Sequence, residues 1–181
     1  FKRVAAEKIP NSGVDSRPEI VGNCFRSAAD DALGPERAAF DRAANLAGLC
    51  LRGNLPKDLL QANGQPINDQ AVLLTLESFE KSYPRSVYVG QLKFLAARIL
   101  LERLGEKKRA EGLLREFARQ PLVQDPMAAD ALLCLVENVL DGHKDAAEAR
   151  QLLNRVVALR NATPAVRARA RELLDRMSRA G

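Results

Sequence analysis

Residues 94–117, FLAARILLERLGEKKRAEGLLREF, return in altered form 39 positions later as residues 133–156, LCLVENVLDGHKDAAEARQLLNRV. Apolar residues in both stretches recur at spacings of three and four, which is typical of amphipathic helices. Gly105 and Gly142 predict a turn within each stretch. At this shift six apolar positions coincide: Phe94 with Leu133, Ala97 with Val136, Leu101 with Leu140, Ala110 with Ala149, Leu114 with Leu153, and Phe117 with Val156. We therefore predict a repeated helix–turn–helix unit in the second half of the chain.

Further helices are predicted on both sides of this repeat. Before it, an apolar stripe through Val72 and Phe79 predicts a helix that is capped by Asn68 or Asp69. Tyr83–Pro84 ends this helix, because the residue before a proline avoids the α conformation. After the repeat, Thr163–Pro164 predicts a cap and the first turn of a last helix. Its buried stripe contains Val166, Ala170, Leu173, Leu174 and Met177.

The N-terminal part contains a helix pair without a clear repeat register. Residues 1–17 show no periodicity and predict a flexible arm, whereas residues 18–32 and 35–51 predict two helices that turn at Gly34–Pro35. The connector over residues 53–70 is predicted to contain a short helix from Leu55–Pro56 to Ala62. A binding loop is an alternative interpretation of this connector. The fold class is therefore all-α, with a single domain over residues 18–181 that divides into residues 18–68 and the repeat region 69–181.

The repeat region resembles tetratricopeptide repeats over roughly residues 69–179. Ala110 and Ala149 match the small residues of the second helix, and Leu114 and Leu153 match the large apolar residues four positions later. Residues 79–88, FEKSYPRSVY, look like the junction before a repeat in bacterial tetratricopeptide proteins. The sequence departs from the family pattern where Arg98 and Glu137 replace a small residue of the first helix, and where only Phe94 remains of the expected aromatic.

This resemblance implies an array of antiparallel helix hairpins in a short right-handed superhelix. It also implies a non-catalytic scaffold that holds a protein or peptide partner against exposed residues of the first helices. Polar residues on those helices are the candidates for the partner-binding surface, although ordinary solvent exposure also explains them individually. They are Lys93, Arg98, Glu102, Asp130, Glu137 and Asp141.

The C-terminal end of the chain is strongly basic. The whole chain has a net charge of +5, and residues 150–181 alone contain eight Arg and two acidic residues. On the last helix, Arg167 and Arg171 flank the apolar stripe on one side, and Arg169 and Arg176 flank it on the other. One interpretation is a solvated helix that caps the repeats. The alternative is an anionic partner, namely a membrane surface or nucleic acid, although aromatic residues for base stacking are absent from this helix.

The sequence contains no pattern typical of an enzyme or a cofactor site. His143, in a predicted turn, is the single histidine, and no nucleophile motif accompanies it. Neither phosphate-binding glycine motif occurs. The adjacent Asp30 and Asp31 would point about 100° apart on a helix, and no cluster with metal-ligand spacing is present. We therefore expect no catalysis, no cofactor and no metal.

The three cysteines, Cys24, Cys50 and Cys134, are expected to be small buried apolar residues. In the predicted hairpin Cys24 and Cys50 are offset by about 10 Å, beyond the roughly 7 Å that a disulfide allows. This favours a reducing, cytoplasmic compartment over the periplasm without excluding export. Phe1-Lys2-Arg3 is consistent with the edge of a membrane helix outside this chain. An arbitrary boundary of the chain explains the same residues.

Overall fold

The computed structural model describes residues 34–61, 63–119, 127–142 and 146–179, and for residues 139–142 it describes the backbone alone. These ranges contain seven helices and no β-strand, which confirms the all-α prediction for them. The predicted arm and the predicted helix over residues 18–32 lie outside the described residues, as does His143. The helices are α1 (Pro35–Leu51), α2 (Asp69–Ser82), α3 (Val89–Ile99, continued by a π-helical turn Leu100–Leu104), α4 (Lys107–Arg119), α5 (Ala128–Gly142), α6 (Ala146–Ala158) and α7 (Pro164–Arg179).

The predicted helix ends are confirmed at three positions. The Asn68 side chain accepts a hydrogen bond of 2.9 Å from the Ala71 backbone N–H, and so caps α2. The Thr163 hydroxyl accepts a hydrogen bond of 3.3 Å from the Val166 N–H at the start of α7. Tyr83 ends α2 in a non-helical conformation. These ends depend on the side chain and backbone of the residues themselves, which is why the local sequence was sufficient to predict them.

The predicted short helix between Leu55 and Ala62 is wrong for the described part of that segment. The chain instead makes turns, and Leu60 pairs with Pro66 in an isolated antiparallel bridge. The Ile67 N–H donates a 2.8 Å hydrogen bond to the Leu59 carbonyl. Gly64 has a positive φ of 77° and allows the reversal. This arrangement buries Leu59 and Ile67 in the core, which a short exposed helix would not achieve.

Each helix packs against the next along the chain, and α1 also packs against α3, as α5 does against α7. The connections between α3 and α4 (residues 105–106) and between α6 and α7 (residues 159–163) have the length typical of antiparallel helix hairpins. One continuous core of mainly Ala, Leu and Val side chains runs through the array. Its largest fully buried side chains include Phe117, Ile99, Leu114, Leu132 and Leu135.

The 39-residue spacing reappears in the helix bounds. Val89 and Ala128 begin α3 and α5, Lys107 and Ala146 begin α4 and α6, and Arg119 and Ala158 end α4 and α6. We call α3–α4 the first unit and α5–α6 the second unit. None of the seven described helices combines the length and the apolar character needed to cross a membrane.

Candidate functional site: an apolar groove between α2, α3 and α4

A groove with a cavity volume of about 310 Å³ lies between α2, α3 and α4. The groove exists because α2 and α4 both pack against α3 and leave a trough above it. Its lining is predominantly apolar: Leu73, Leu76 and Phe79 of α2, Val89, Leu92 and Ala96 of α3, Leu100 of the π turn, and Leu113 of α4. This combination of concavity and apolar lining is characteristic of ligand and peptide sites.

Gly112 helps to keep the groove open. It lies in the middle of α4 and lines the groove. A β-carbon added at Gly112 would meet no packed neighbour within 4 Å. A glycine inside a helix costs about 1 kcal/mol relative to alanine, and no close packing at Gly112 requires the missing side chain. The space in front of Gly112 is therefore part of the groove.

Lys93 is a buried charged residue of the groove wall. Its side chain is only 7% exposed, yet it projects from α3 among apolar neighbours. The Lys93 Nζ donates a 2.6 Å hydrogen bond to Glu116 Oε1 of α4. The same nitrogen lies 2.9 Å from Glu80 Oε1 of α2. A buried ammonium requires such partners, because an unpaired charge is strongly unfavourable away from water.

The protonation of Lys93 reflects two opposing effects. Burial lowers the pKa of Lys93, but the hydrogen bonds and charges of Glu116 and Glu80 outweigh burial and raise this pKa above its ordinary value. Lys93 is therefore a cation at neutral pH. It links α2, α3 and α4 at one end of the groove.

The other end of the groove carries Glu77, Lys108 and Arg109. Arg109 Nη1 donates a 2.6 Å hydrogen bond to Glu106 Oε2, and its Nη2 lies 3.9 Å from Glu77 Oε1 across the groove. Arg109 and Glu77 are both about half exposed. This pair is therefore weak and solvated, in contrast to the buried ammonium of Lys93.

The π-helical turn Leu100–Leu104 shapes the floor of the groove next to α4. Gly105 closes this turn in the left-handed conformation, with a φ of 68°. The Glu106 N–H donates a 2.8 Å hydrogen bond to the Leu100 carbonyl. Leu100 is 1% exposed and lines the groove. Single π turns within α-helices are frequent at functional sites.

The six predicted partner-binding residues fall into separate groups. Lys93 differs from the expectation of an exposed position, because its side chain is buried between two carboxylates. Arg98 lies five residues further on, about 140° around the helix. It forms an exposed pair of 2.7 Å with Glu102. Asp130 is partly buried, and the side chain of Asp141 is not described.

Glu137, Arg98 and Glu102 all act electrostatically on the thiol of Cys134. The pKa of Cys134 is raised to about 11, chiefly by burial and further by Glu137. Glu137 also accepts a 3.2 Å hydrogen bond from Arg169 Nε of α7. The tertiary structure thus brings Arg98, Glu102 and Glu137 near Cys134 and places Lys93 in the groove.

Three of the four arginines predicted for an anionic partner have contacts within the protein. Arg167 donates hydrogen bonds of 3.1 Å to the Leu159 carbonyl and 3.0 Å to the Arg160 carbonyl. Arg169 and Arg176 both bind Glu172, and they hold the pKa of the Glu172 carboxyl below its usual value. Arg171 is exposed. The charges of Arg169 and Arg176 are therefore balanced locally by Glu172 and Glu137.

The described thiols are not activated nucleophiles. Burial, together with a 3.3 Å hydrogen bond to Asp69, raises the pKa of Cys50 to about 12. Cys134 is also protonated at neutral pH. Across the described ranges, no three His, Cys, Asp or Glu side chains are placed to hold a metal ion. His143, Cys24, Asp30 and Asp31 lie outside those ranges.

Sequence reasoning missed Glu80, Glu116, Gly112 and Leu100 as residues of the site. One feature of the sequence indicated that carboxylates such as Glu80 and Glu116 are needed. Lys93 lies between Leu92 and Phe94 on a helix with a wide apolar stripe. A charge within such a stripe requires partners from neighbouring helices. Which carboxylates supply them depends on the packing of α2 and α4.

No family model, curated protein or solved structure matches this chain.

Proposed function

We propose that this protein is a non-catalytic protein-interaction module, and that the groove receives apolar side chains of a peptide segment of its partner. The observation that carries this proposal is the open apolar groove of about 310 Å³ between α2, α3 and α4. Amphipathic segments commonly bind in this way, with apolar residues inserted between helices. We further propose that the hairpins form a short right-handed superhelix of the tetratricopeptide type.

The energetics of the groove suit this role. Full burial of one Leu or Phe side chain contributes about 1.5–3 kcal/mol, and most groove-lining side chains are already held in place by the core. A largely preformed groove reduces the ordering cost that association would otherwise carry. The free thiols of Cys50, which is buried, and Cys134, which is partly buried, are compatible with the reducing, cytoplasmic compartment that we propose.

A membrane surface or nucleic acid as the main partner has weaker support. Arg167, Arg169 and Arg176 already bind backbone carbonyls or Glu172. We therefore propose the groove, and not α7, as the principal site.

The proposal is tested with a library of random peptides selected on the wild-type protein. Binding of each selected peptide is then measured to G112F and to G112A. Both variants replace a helix-interior glycine at a site that is free of packed neighbours, but only the Phe ring can fill the groove. We expect G112F to weaken binding at least about tenfold, the loss of roughly 1.4 kcal/mol, while G112A binds like the wild type.

The opposite outcome would refute the proposal. If every selected peptide binds G112F as tightly as G112A, the peptides dock elsewhere, for example in the depression between α1 and α2 that Leu46 and Leu74 help to line. Far-UV circular dichroism of both variants verifies that the helices are intact.

A further inference from the structure

We propose that the partner segment carries a Lys or Arg beside its apolar anchor, and that this cation binds between Glu80 and Glu116; this inference rests on the proposed function of the groove. The two carboxylates belong to different helices, α2 and α4, and meet above Lys93. Glu80 lines the groove, and Glu116 adjoins it through its 2.6 Å contact with Lys93 of the groove wall. The two carboxylates therefore make this end of the groove acidic.

The charge balance at this end favours an additional cation. Two carboxylates share one ammonium, since Glu80 and Glu116 each contact Lys93 Nζ through Oε1. One negative charge is therefore in excess. Lys93 is buried, whereas the side chains of Glu80 and Glu116 are 43% and 55% exposed. A cation arriving from solvent can thus reach the carboxylates without displacing Lys93.

The C-terminal ends of two helices add to the negative electrostatic potential around Glu80 and Glu116. Glu80 lies in the last turn of α2, which ends at Ser82, and Glu116 lies near the end of α4, which ends at Arg119. The C-terminal end of a helix carries a partial negative charge from its unpaired carbonyls. Lys81 and Arg119 lie in the same helix ends, and neither lines the groove, whereas Glu80 does.

Apart from the buried Lys93, the basic residues that line the groove are Lys108 and Arg109, at its opposite end. Lys108 is eight residues from Glu116 on α4, which corresponds to about 12 Å along the helix axis. Arg109 is already paired with Glu106 and Glu77. The groove thus has an apolar middle, an acidic end and a mixed end. A basic amphipathic peptide segment complements this distribution better than a purely apolar or an acidic segment.

The test uses peptides from the same selection, with G112F as the counter-selection target. We expect the peptides lost on G112F to combine apolar residues with a Lys or Arg. For one such peptide, binding is measured to the wild type, E80Q and E116Q, and again after its basic residue is replaced by Gln. Each single substitution leaves Lys93 one carboxylate partner, so the fold is retained.

We expect E80Q and E116Q each to weaken the basic peptide about fivefold, as for a solvated charge pair near 1 kcal/mol. The peptide whose basic residue is replaced by Gln should bind the wild type, E80Q and E116Q equally. In a double-mutant cycle, this result shows that the basic residue interacts directly with the two carboxylates. E77Q is the matched control, because Glu77 lines the groove and is paired with Arg109 rather than with Lys93. We expect the basic peptide to bind E77Q as tightly as it binds the wild type.

The outcomes separate the two proposals. Selected peptides that depend on the groove but contain no basic residue, or that bind E80Q, E116Q and wild type equally, overturn the cation inference and leave the interaction module standing. A selection in which no peptide is sensitive to G112F overturns the proposed function itself.

Discussion

The two units share a backbone pattern and differ in what lies between their helices. At the shift of 39 residues, Lys93 of the first unit corresponds to Leu132 of the second, Glu116 to Arg155 and Gly112 to Gln151. Lys93 is buried with two carboxylate partners, whereas Leu132 is a core residue with 1% exposure. Arg155 donates a 2.9 Å hydrogen bond to the Ala118 carbonyl, near the end of α4.

The ion pair that links α4 to α6 also differs from the one that links α2 to α4. Arg115 of α4 binds Glu148 of α6 and, at 3.0 Å, Glu111 of its own helix. In the first unit the corresponding helices carry Gly112 and the long, solvated contact between Arg109 and Glu77. The comparison teaches that two units on the same helix framework carry different side chains at the positions of the groove: Lys93, Gly112 and Glu116 in the first unit, and Leu132, Gln151 and Arg155 in the second.

The largest expected effect comes from moving the lysine into the second unit. Leu132→Lys places an ammonium in a core position with no carboxylate partner in the corresponding places. We expect it to lower the free energy of unfolding by about 3–5 kcal/mol. Lys93→Leu should cost about 1 kcal/mol or less, because Glu80 and Glu116 are exposed enough to be hydrated. Urea unfolding followed by circular dichroism measures both, and equal losses would contradict the distinction between the units.

Removing the bridge between Arg115 of α4 and Glu148 of α6 should have an intermediate effect. Arg115→Ala deletes a partly buried guanidinium with two carboxylate partners, and we expect the free energy of unfolding to fall by about 1 kcal/mol. Arg169→Ala removes an exposed arginine with two partners, and no resolvable change is expected. A larger loss for Arg169 than for Arg115 in the same urea titration would show that burial is not the deciding factor.

Replacing Gly112 of α4 by alanine and Gln151 of α6 by glycine should change the free energy of unfolding in opposite directions. Gly112→Ala is expected to raise the free energy of unfolding by about 0.5–1 kcal/mol, and Gln151→Gly to lower it by a similar amount, because glycine is the poorer helix former. Thermal unfolding compares the variants. Destabilisation by Gly112→Ala would mean that the groove cannot accept even a methyl group.

The smallest effect is the pH dependence contributed by Lys93. Its pKa is raised in the folded protein, so its stabilising contribution is fully present below the unfolded pKa, about 10.4. That contribution is lost as the pH rises through the folded value. The stability difference between wild type and Lys93→Leu should therefore be constant from about pH 6 to 9 and should change above about pH 10.5. The exposed Lys108→Leu variant is the control; a difference that already changes near neutral pH would contradict the assignment.

The local sequence was sufficient where neighbouring residues decide the structure. The caps at Asn68 and Thr163, the end of α2 at Tyr83–Pro84 and the apolar stripes of α4 and α6 were all predictable, because helix ends and amphipathic faces depend on residues within about one turn. The predicted helix after Leu55 was wrong because local residues do not decide the conformation of that segment. Its conformation follows from burying Leu59 and Ile67 against helices distant in sequence.

The sequence by itself thus determined an all-α chain, the approximate positions of its helices and the 39-residue spacing of its two units. Only the tertiary structure decided that Lys93 is buried, that Glu80 and Glu116 are its partners, and that Gly112 faces an open groove. The physical reason is distance along the chain: Glu80 and Glu116 are 36 residues apart. They meet only because α2 and α4 both pack against α3 and bring both carboxylates to one buried ammonium.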